Sequence, residues 1–238
     1  VTNVTRVDYY VRDLTNNPPV PNCTYWNPVT RVWAQSNTTY WITLSAPGDF
    51  TAGSNVAWST GSITFSSGKK YETGARGVDE VSNIQVSGIP QRTFYYDTNA
   101  PTTTLTNIAD GNVLKAMSTI SGQCGDNPAV NASGPSDNWI RIKRLSDNRY
   151  WTATAADNGD YNSTSEVWNK CSGASAWTFQ ATSTAIWTND VSYQVTSKGY
   201  DFARPETEAS GDKTGNEETS LNPKTFTYDT TLPVSTIT

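Results

Sequence analysis

Asp157, Asp160 and Glu166 are the residues whose type and spacing come closest to a catalytic pair. Two carboxylates held a few ångströms apart can act as acid and base, or acid and nucleophile, in glycoside hydrolysis. Glu206, Glu208 and Asp212 form a second acidic group. Both groups read more simply as solvated polar loops. Lys170 and Lys198 could enter isopeptide cross-links, yet the sequence offers no Asn or Asp that can be assigned to them. The chain of 238 residues holds no histidine, the commonest general base and metal ligand near neutral pH. Ser-His-Asp, Cys-His and His-ligated zinc chemistry are thereby excluded within it. The reading is that this is not an enzyme, with no catalytic, cofactor-binding or metal residue to name and no cofactor.

Calcium is the best metal alternative, because it takes carboxylate and carbonyl oxygens. Asp97, Asp126, Asp201 and Asp229 are the residues that could supply them at repeat junctions. The competing reading is that these side chains cap turns by accepting nearby backbone N–H groups, and it is the favoured one. Surface aromatics offer a sugar-binding alternative: Tyr25, Trp26, Trp33, Tyr40 and Trp41, or Tyr150 and Trp151, could stack on glycans. Core and inter-unit packing is the favoured reading, because aromatics also fill small sandwiches. Asn-x-Ser/Thr sequons occur at Asn3, Asn22, Asn37, Asn131 and Asn162. Cys23, Cys124 and Cys171 have no metal spacing; either Cys124 and Cys171 are bridged, or all three are buried thiols.

With 17 Lys+Arg against 22 Asp+Glu, the formal charge of −5 argues against nucleic acid, whose phosphates need clustered cations. No apolar run approaches the roughly 20 residues of a membrane helix, so membrane insertion is not expected. The polarity comes from Thr, Ser, Asn and Gly, and nine Trp and twelve Tyr accompany it. This is the composition of an extracellular or cell-surface β protein.

The elements that position these residues follow from an internal repeat. Phe94-Tyr95-Tyr96-Asp97-Thr98-Asn99-Ala100-Pro101 through Thr106 recurs 132 residues later as Phe226-Thr227-Tyr228-Asp229-Thr230-Thr231-Leu232-Pro233 through Thr238, with 7 of 13 positions identical. Tyr71, Arg76, Gly77 and Asp79 recur as Tyr193, Lys198, Gly199 and Asp201, and Tyr25-Trp26 as Tyr150-Trp151. About ten extra residues in the second copy fall within 204–215. The division expected is 1–100, a unit lacking its N-terminal strand region, then 101–230, a complete unit, and 231–238, the start of a following repeat or a donated strand. Within the units apolar residues alternate with period 2, as in Val7/Tyr9/Val11, Trp177/Phe179/Ala181 and Tyr193/Val195. Turn clusters such as Asn16-Asn17-Pro18-Pro19 and Asp126-Asn127-Pro128 separate the runs. An all-β fold of two tandem β-sandwich units is the expectation.

Tyr-x-Val-x-Ser-Lys-Gly-x-Asp (Tyr193–Asp201), Phe-x-Tyr-Asp-Thr-x-x-Pro (Phe226–Pro233) and Ile-Ser-Gly-x-x-x-Asp (Ile120–Asp126) together resemble tandem bacterial immunoglobulin-like repeats of long extracellular and surface proteins. The resemblance implies a structural unit of a filament, stalk or surface fibre. Its partners would be copies of itself or neighbouring repeats, with glycans as the adhesin alternative. Such units commonly continue after the Asp with Ala-Gly-Asn. Here Phe202-Ala203-Arg204-Pro205 follows, and Gly215-Asn216 comes only after the insertion. Tyr193 is expected to bond back to the chain through its hydroxyl, Val195 to point inward, and Trp139 and Trp177 to be the large core residues.

Overall fold

A computed structural model describes residues 3–15, 23–44, 57–127, 131–153, 159–180, 186–203 and 215–236. The chain is all-β and divides into two compact units, residues 1–97 with 130–132 and residues 98–129 with 133–238.

In the first unit, β1 (Val4–Asp13), β2 (Cys23–Asn27), β3 (Val32–Ser36), β4 (Ile42–Leu44), β5 (Lys69–Asp79) and β6 (Gln91–Tyr96) form one sheet. Its order is β3-β2-β1-β5-β6, and β4 also pairs with β1. The alternation of β1 places Val7, Tyr9 and Val11 on one face, where they pack with Trp26, Ile42 and Leu44. The opposite face is covered too. Asp8 and Tyr10 are both buried, as are Tyr25 and Cys23. Ion pairs and aromatics fill this second face.

The second unit contains β7 (Thr102–Leu105), β8 (Asn112–Leu114), β9 (Thr119–Gly125), β10 (Pro135–Arg144), β11 (Arg149–Thr152), β12 (Asp160–Ser163), β13 (Asn169–Lys170), β14 (Ala176–Gln180), β15 (Val191–Asp201) and β16 (Lys224–Tyr228). Two sheets result: β12-β11-β10-β15-β16-β8, with β13 on β10, and β14-β9-β7. The core is built from the inner faces of both sheets: Ile140, Ile142, Tyr193, Val195 and Phe226 from one, Ile120 and Trp177 from the other. Val195 and Trp177 are inward as expected. Trp139 is not, because it alternates with the fully buried Ile140 and so stands half-buried on the other face of β10. Ala181 lies outside the described residues.

The main sheets match register for register. Tyr71 pairs with Asp13 and Phe94 as Tyr193 pairs with Arg144 and Phe226. Each long pair carries a bulge at the same place, between Val4/Arg6 opposite Asp79 and Val78, and between Pro135/Asp137 opposite Asp201 and Tyr200. A bulge is a specified feature rather than an accident of pairing, so its recurrence marks one plan used twice. The tyrosine hydroxyls agree as well. The Ser66 N–H donates to Tyr71 Oη (3.0 Å) and the Thr188 N–H to Tyr193 Oη (2.7 Å), each from five residues upstream. Trp26 faces Trp33 as Trp151 faces Tyr161.

Candidate functional site

Asp126, Asp201 and Asp229, three of the four carboxylates singled out for calcium, cap loops by accepting backbone N–H groups. Asp201 Oδ1 accepts the N–H groups of Ala203 (2.9 Å) and Asn216 (2.7 Å), and its Oδ2 accepts Asn216 Nδ2–H (2.8 Å). Asp79 does the same at the end of β5. Its Oδ1 accepts Val81 N–H (3.0 Å) and Asn83 N–H (2.8 Å), and its Oδ2 accepts Asn83 Nδ2–H (2.8 Å). One Asp–Asn clasp thus closes both loops, and in the second unit residues 204–214, outside the described residues, lie between its two halves. The interrupted Asp…Gly-Asn motif is rejoined in space. A Cβ at Gly215 would stand 2.0 Å from the Asp201 carbonyl oxygen, so the return requires glycine.

Asp126 Oδ2 accepts Gly134 N–H (2.7 Å) and its Oδ1 accepts Asn127 N–H (2.8 Å); Asp229 Oδ1 accepts Thr231 N–H (2.7 Å). Asp97 accepts the Ser67 hydroxyl (3.3 Å). Within the second unit, carboxylate oxygens of Asp126 and Asp201 lie within 4.8 Å of each other. These two are the nearest thing to a cation site in that unit among the described residues.

Of the two readings of the aromatics, burial supports core packing at Tyr25, Trp26 and Trp151. Tyr25 and Trp26 are each 2% exposed and Trp151 is 3% exposed. The reason is the strand register: β2 and β11 turn Trp26 and Trp151 inward against Trp33 and Tyr161. Trp33 donates its Nε1–H to the Thr64 carbonyl (2.8 Å), and Trp41 packs edge-on to Tyr10. Tyr150 is half-buried beside Arg141 and Lys143, and Tyr40 is the one exposed member of the group.

Among the described residues, Asp160 and Glu166 have different partners. Asp160 Oδ1 accepts the Tyr161 N–H (2.6 Å), and Glu166 pairs with Arg141. Asp157, Glu206, Glu208 and Asp212 lie outside the described residues. Lys198 pairs with Glu217 (2.5 Å) and Lys170 with Asp137 (2.6 Å). Of the sequon residues, Asn3, Asn37 and Asn162 are exposed, Asn131 is half-buried and Asn22 lies outside the described residues. All three cysteines are buried and outside any disulfide, so the Cys124–Cys171 bridge is not formed. Burial pushes the Cys124 and Cys171 thiols up to about 12; at Cys124 the Glu218, Asp126 and Asp201 charges add to it.

The sequence did not point to the outer sheet faces. Arg76 lies 4.1 Å from the Trp41 ring centroid, and its counterpart Lys198 lies 4.5 Å from that of Trp168. In the first unit this face also holds Asp8 between Arg6 and Arg76, and Tyr10 donating to Glu72 Oε1 (2.6 Å) with Arg12 alongside. Burial, reinforced by the Glu72 bond, raises the Tyr10 phenol well above its ordinary value. At the strand end, burial alone would raise the Asp13 carboxyl, yet hydrogen bonds from Lys69 and Thr15 hold it below the usual carboxylate range. The Asp13 bond raises Lys69 in turn. The signal available in sequence was the Arg76/Lys198 match alone, since Trp41 and Trp168 are spaced differently from it.

No protein-family model matches the chain, and no curated protein matches it either. Among the described residues no helix is long and apolar enough to cross a membrane.

Proposed function

We propose that this chain is a non-catalytic structural repeat of an extracellular bacterial filament, stalk or surface fibre, assembled from immunoglobulin-like β-sandwich units. The observation that carries the reading is the duplication: two main sheets share register, bulge, loop clasp and tyrosine bond. A tyrosine hydroxyl tied back to the chain near the start of a late strand is a feature of immunoglobulin-type sandwiches. Repetition of one unit in tandem serves reach and mechanical strength, and neighbouring repeats or copies of the chain are its partners. The adhesin alternative draws no support from Trp26 and Trp151, whose rings lie in the cores. Electron microscopy of the protein as its source produces it tests the reading. Long fibres with a regular axial period are expected; discrete short particles would overturn it.

A further inference from the structure

We propose that Asn162 is the acceptor of an N-linked glycan, in the form of transfer that reads an acidic side chain two residues before the asparagine as well as the hydroxyl two residues after it. The proposal rests on the reading of the chain as a bacterial surface protein and names a modification of its second unit.

Five asparagines have Ser or Thr two positions later, but Asn162 alone also has an acid two positions earlier, in Asp160-Tyr161-Asn162-Ser163-Thr164. Before Asn3, Asn22, Asn37 and Asn131 the same place holds Val1, Val20, Gln35 and Ala129. The structure adds a second distinction. Asn162 lies on β12, the outermost strand of its sheet, which pairs with β11 and with no other strand among the described residues. The register steps from Tyr150–Ser163 directly to Trp151–Tyr161, so Asn162 is the extra residue of a bulge. A bulge leaves its extra residue out of the ladder and re-aims the side chain.

The side chains around it fall as transfer requires. Tyr161, 3% exposed, takes the inward place against Trp151 and Tyr193. Asp160, Asn162 and Thr164, at alternate positions, are all exposed, and the chain bends at Thr164. Thr152 Oγ1–H donates to Asn162 Oδ1 (2.9 Å) and Arg149 Nη1–H to the Asn162 carbonyl (3.0 Å). These bonds occupy the two oxygens and leave Nδ2 with no partner among the described residues. An acid, an amide nitrogen and a hydroxyl are thus accessible together without unfolding the unit.

In the transfer, Nδ2 bonds to the anomeric carbon of a polyprenyl-diphosphate-linked oligosaccharide. The bond from that carbon to the diphosphate oxygen breaks, the diphosphate leaves on its lipid, and one Nδ2 proton passes to a carboxylate of the transferase. Asp160 offers a charge to a cation of the transferase, and Thr164 a hydroxyl to hydrogen-bond. A glycan here covers an open sheet edge, whose unpaired N–H and C=O groups would otherwise invite another chain.

Trypsin releases Tyr150–Lys170, a peptide whose single sequon is Asn162. Mass spectrometry of the protein as its source produces it should find the glycan on this peptide. With a purified bacterial oligosaccharyltransferase and a polyprenyl-diphosphate oligosaccharide, the folded full chain should be modified there, while Asn37, exposed but without the acid, stays unmodified. Asn162→Gln should abolish the transfer and Asp160→Asn should slow it roughly tenfold or more. An unmodified peptide in the native protein, an undiminished rate with Asp160→Asn, or equal transfer to Asn37 would each overturn the proposal. So would transfer to the isolated Tyr150–Lys170 peptide but not to the folded chain. Fibres in microscopy with a bare Asn162 would sink this site alone; a glycan at Asn162 on discrete particles would sink the fibre reading alone.

Discussion

The two units put nearly the same main sheet under different cover. In the second, β14-β9-β7 closes over Ile140, Ile142 and Val195, and the tightest contacts lie between layers, as at Gly122 under Trp177. In the first, the described residues form one sheet, and its densest polar contacts sit on the outer face around Asp8, Tyr10 and Glu72. The lesson is that a repeated strand plan fixes register and corner bonds, while the partner layer decides which glycines and polar anchors are indispensable. Substitutions at matched positions should therefore have unequal effects.

The largest contrast is expected at the glycines. Gly122→Val drives a side chain into Trp177 and the Thr104 carbonyl, and should cost more than about 3 kcal/mol in chemical denaturation. Gly77→Ala should stay within about 1 kcal/mol, as a Cβ there meets only ordinary contacts. Next come the anchors. Glu218→Ala strands buried N–H groups of Thr103 and Gly199 and should cost about 2–4 kcal/mol, whereas Gln85→Ala, which removes the acceptor of the matching Gly77 N–H on an exposed loop, should cost under about 1. Equal effects within either pair would break the comparison.

The corner tyrosines should behave alike. Tyr193→Phe and Tyr71→Phe each remove one backbone partner and should each cost about 1 kcal/mol by thermal or urea unfolding. The ends of the long strands differ again. Asp13 and Lys69 pair at 2.6 Å in the first unit, and Arg144, in the place of Asp13, pairs instead with Asp147. Because the folded Asp13 value is lowered, its contribution is present above the ordinary carboxylate pKa of about 4 and is lost as pH falls through the lowered value. Lys69 is raised, so its share is present below about 10.4 and is lost as pH rises past the raised value. Lys69→Met should flatten the acid limb of first-unit stability measured by circular dichroism between pH 2 and 5.

The smallest effect expected is that of chelation. Asp126 and Asp201 already accept backbone N–H groups, so EGTA should leave the second unit's melting temperature unchanged. A clear rise on adding calcium would instead assign these two carboxylates a cation.

Much of this plan was legible in sequence. The Tyr193 hydroxyl bond and the inward Val195 were placed correctly, on alternation and on the resemblance to immunoglobulin-like repeats. The turn-capping of Asp201 was legible too, since Asp favours bonding to backbone N–H two residues on. Core packing was favoured for Trp26 and Trp151, but sequence alone left a surface platform open, because alternation in a short strand does not say which faces are covered. Trp139 failed for the same reason, one position out of phase with Ile140. The Gly215-Asn216 return could not be read because an insertion separates residues that meet in space. The outer-face pairs Arg76–Trp41 and Lys198–Trp168 join strands at unequal spacing, which no fixed offset detects.

Native-state hydrogen exchange, resolved by residue, tests most directly the claim that one strand plan is used twice, with β14-β9-β7 closing the second unit. Amides in 119–125 and 176–180 should exchange only through global opening of the second unit, while those in 57–66 should exchange orders of magnitude faster. Equal protection of 57–66 and 176–180 would contradict the account.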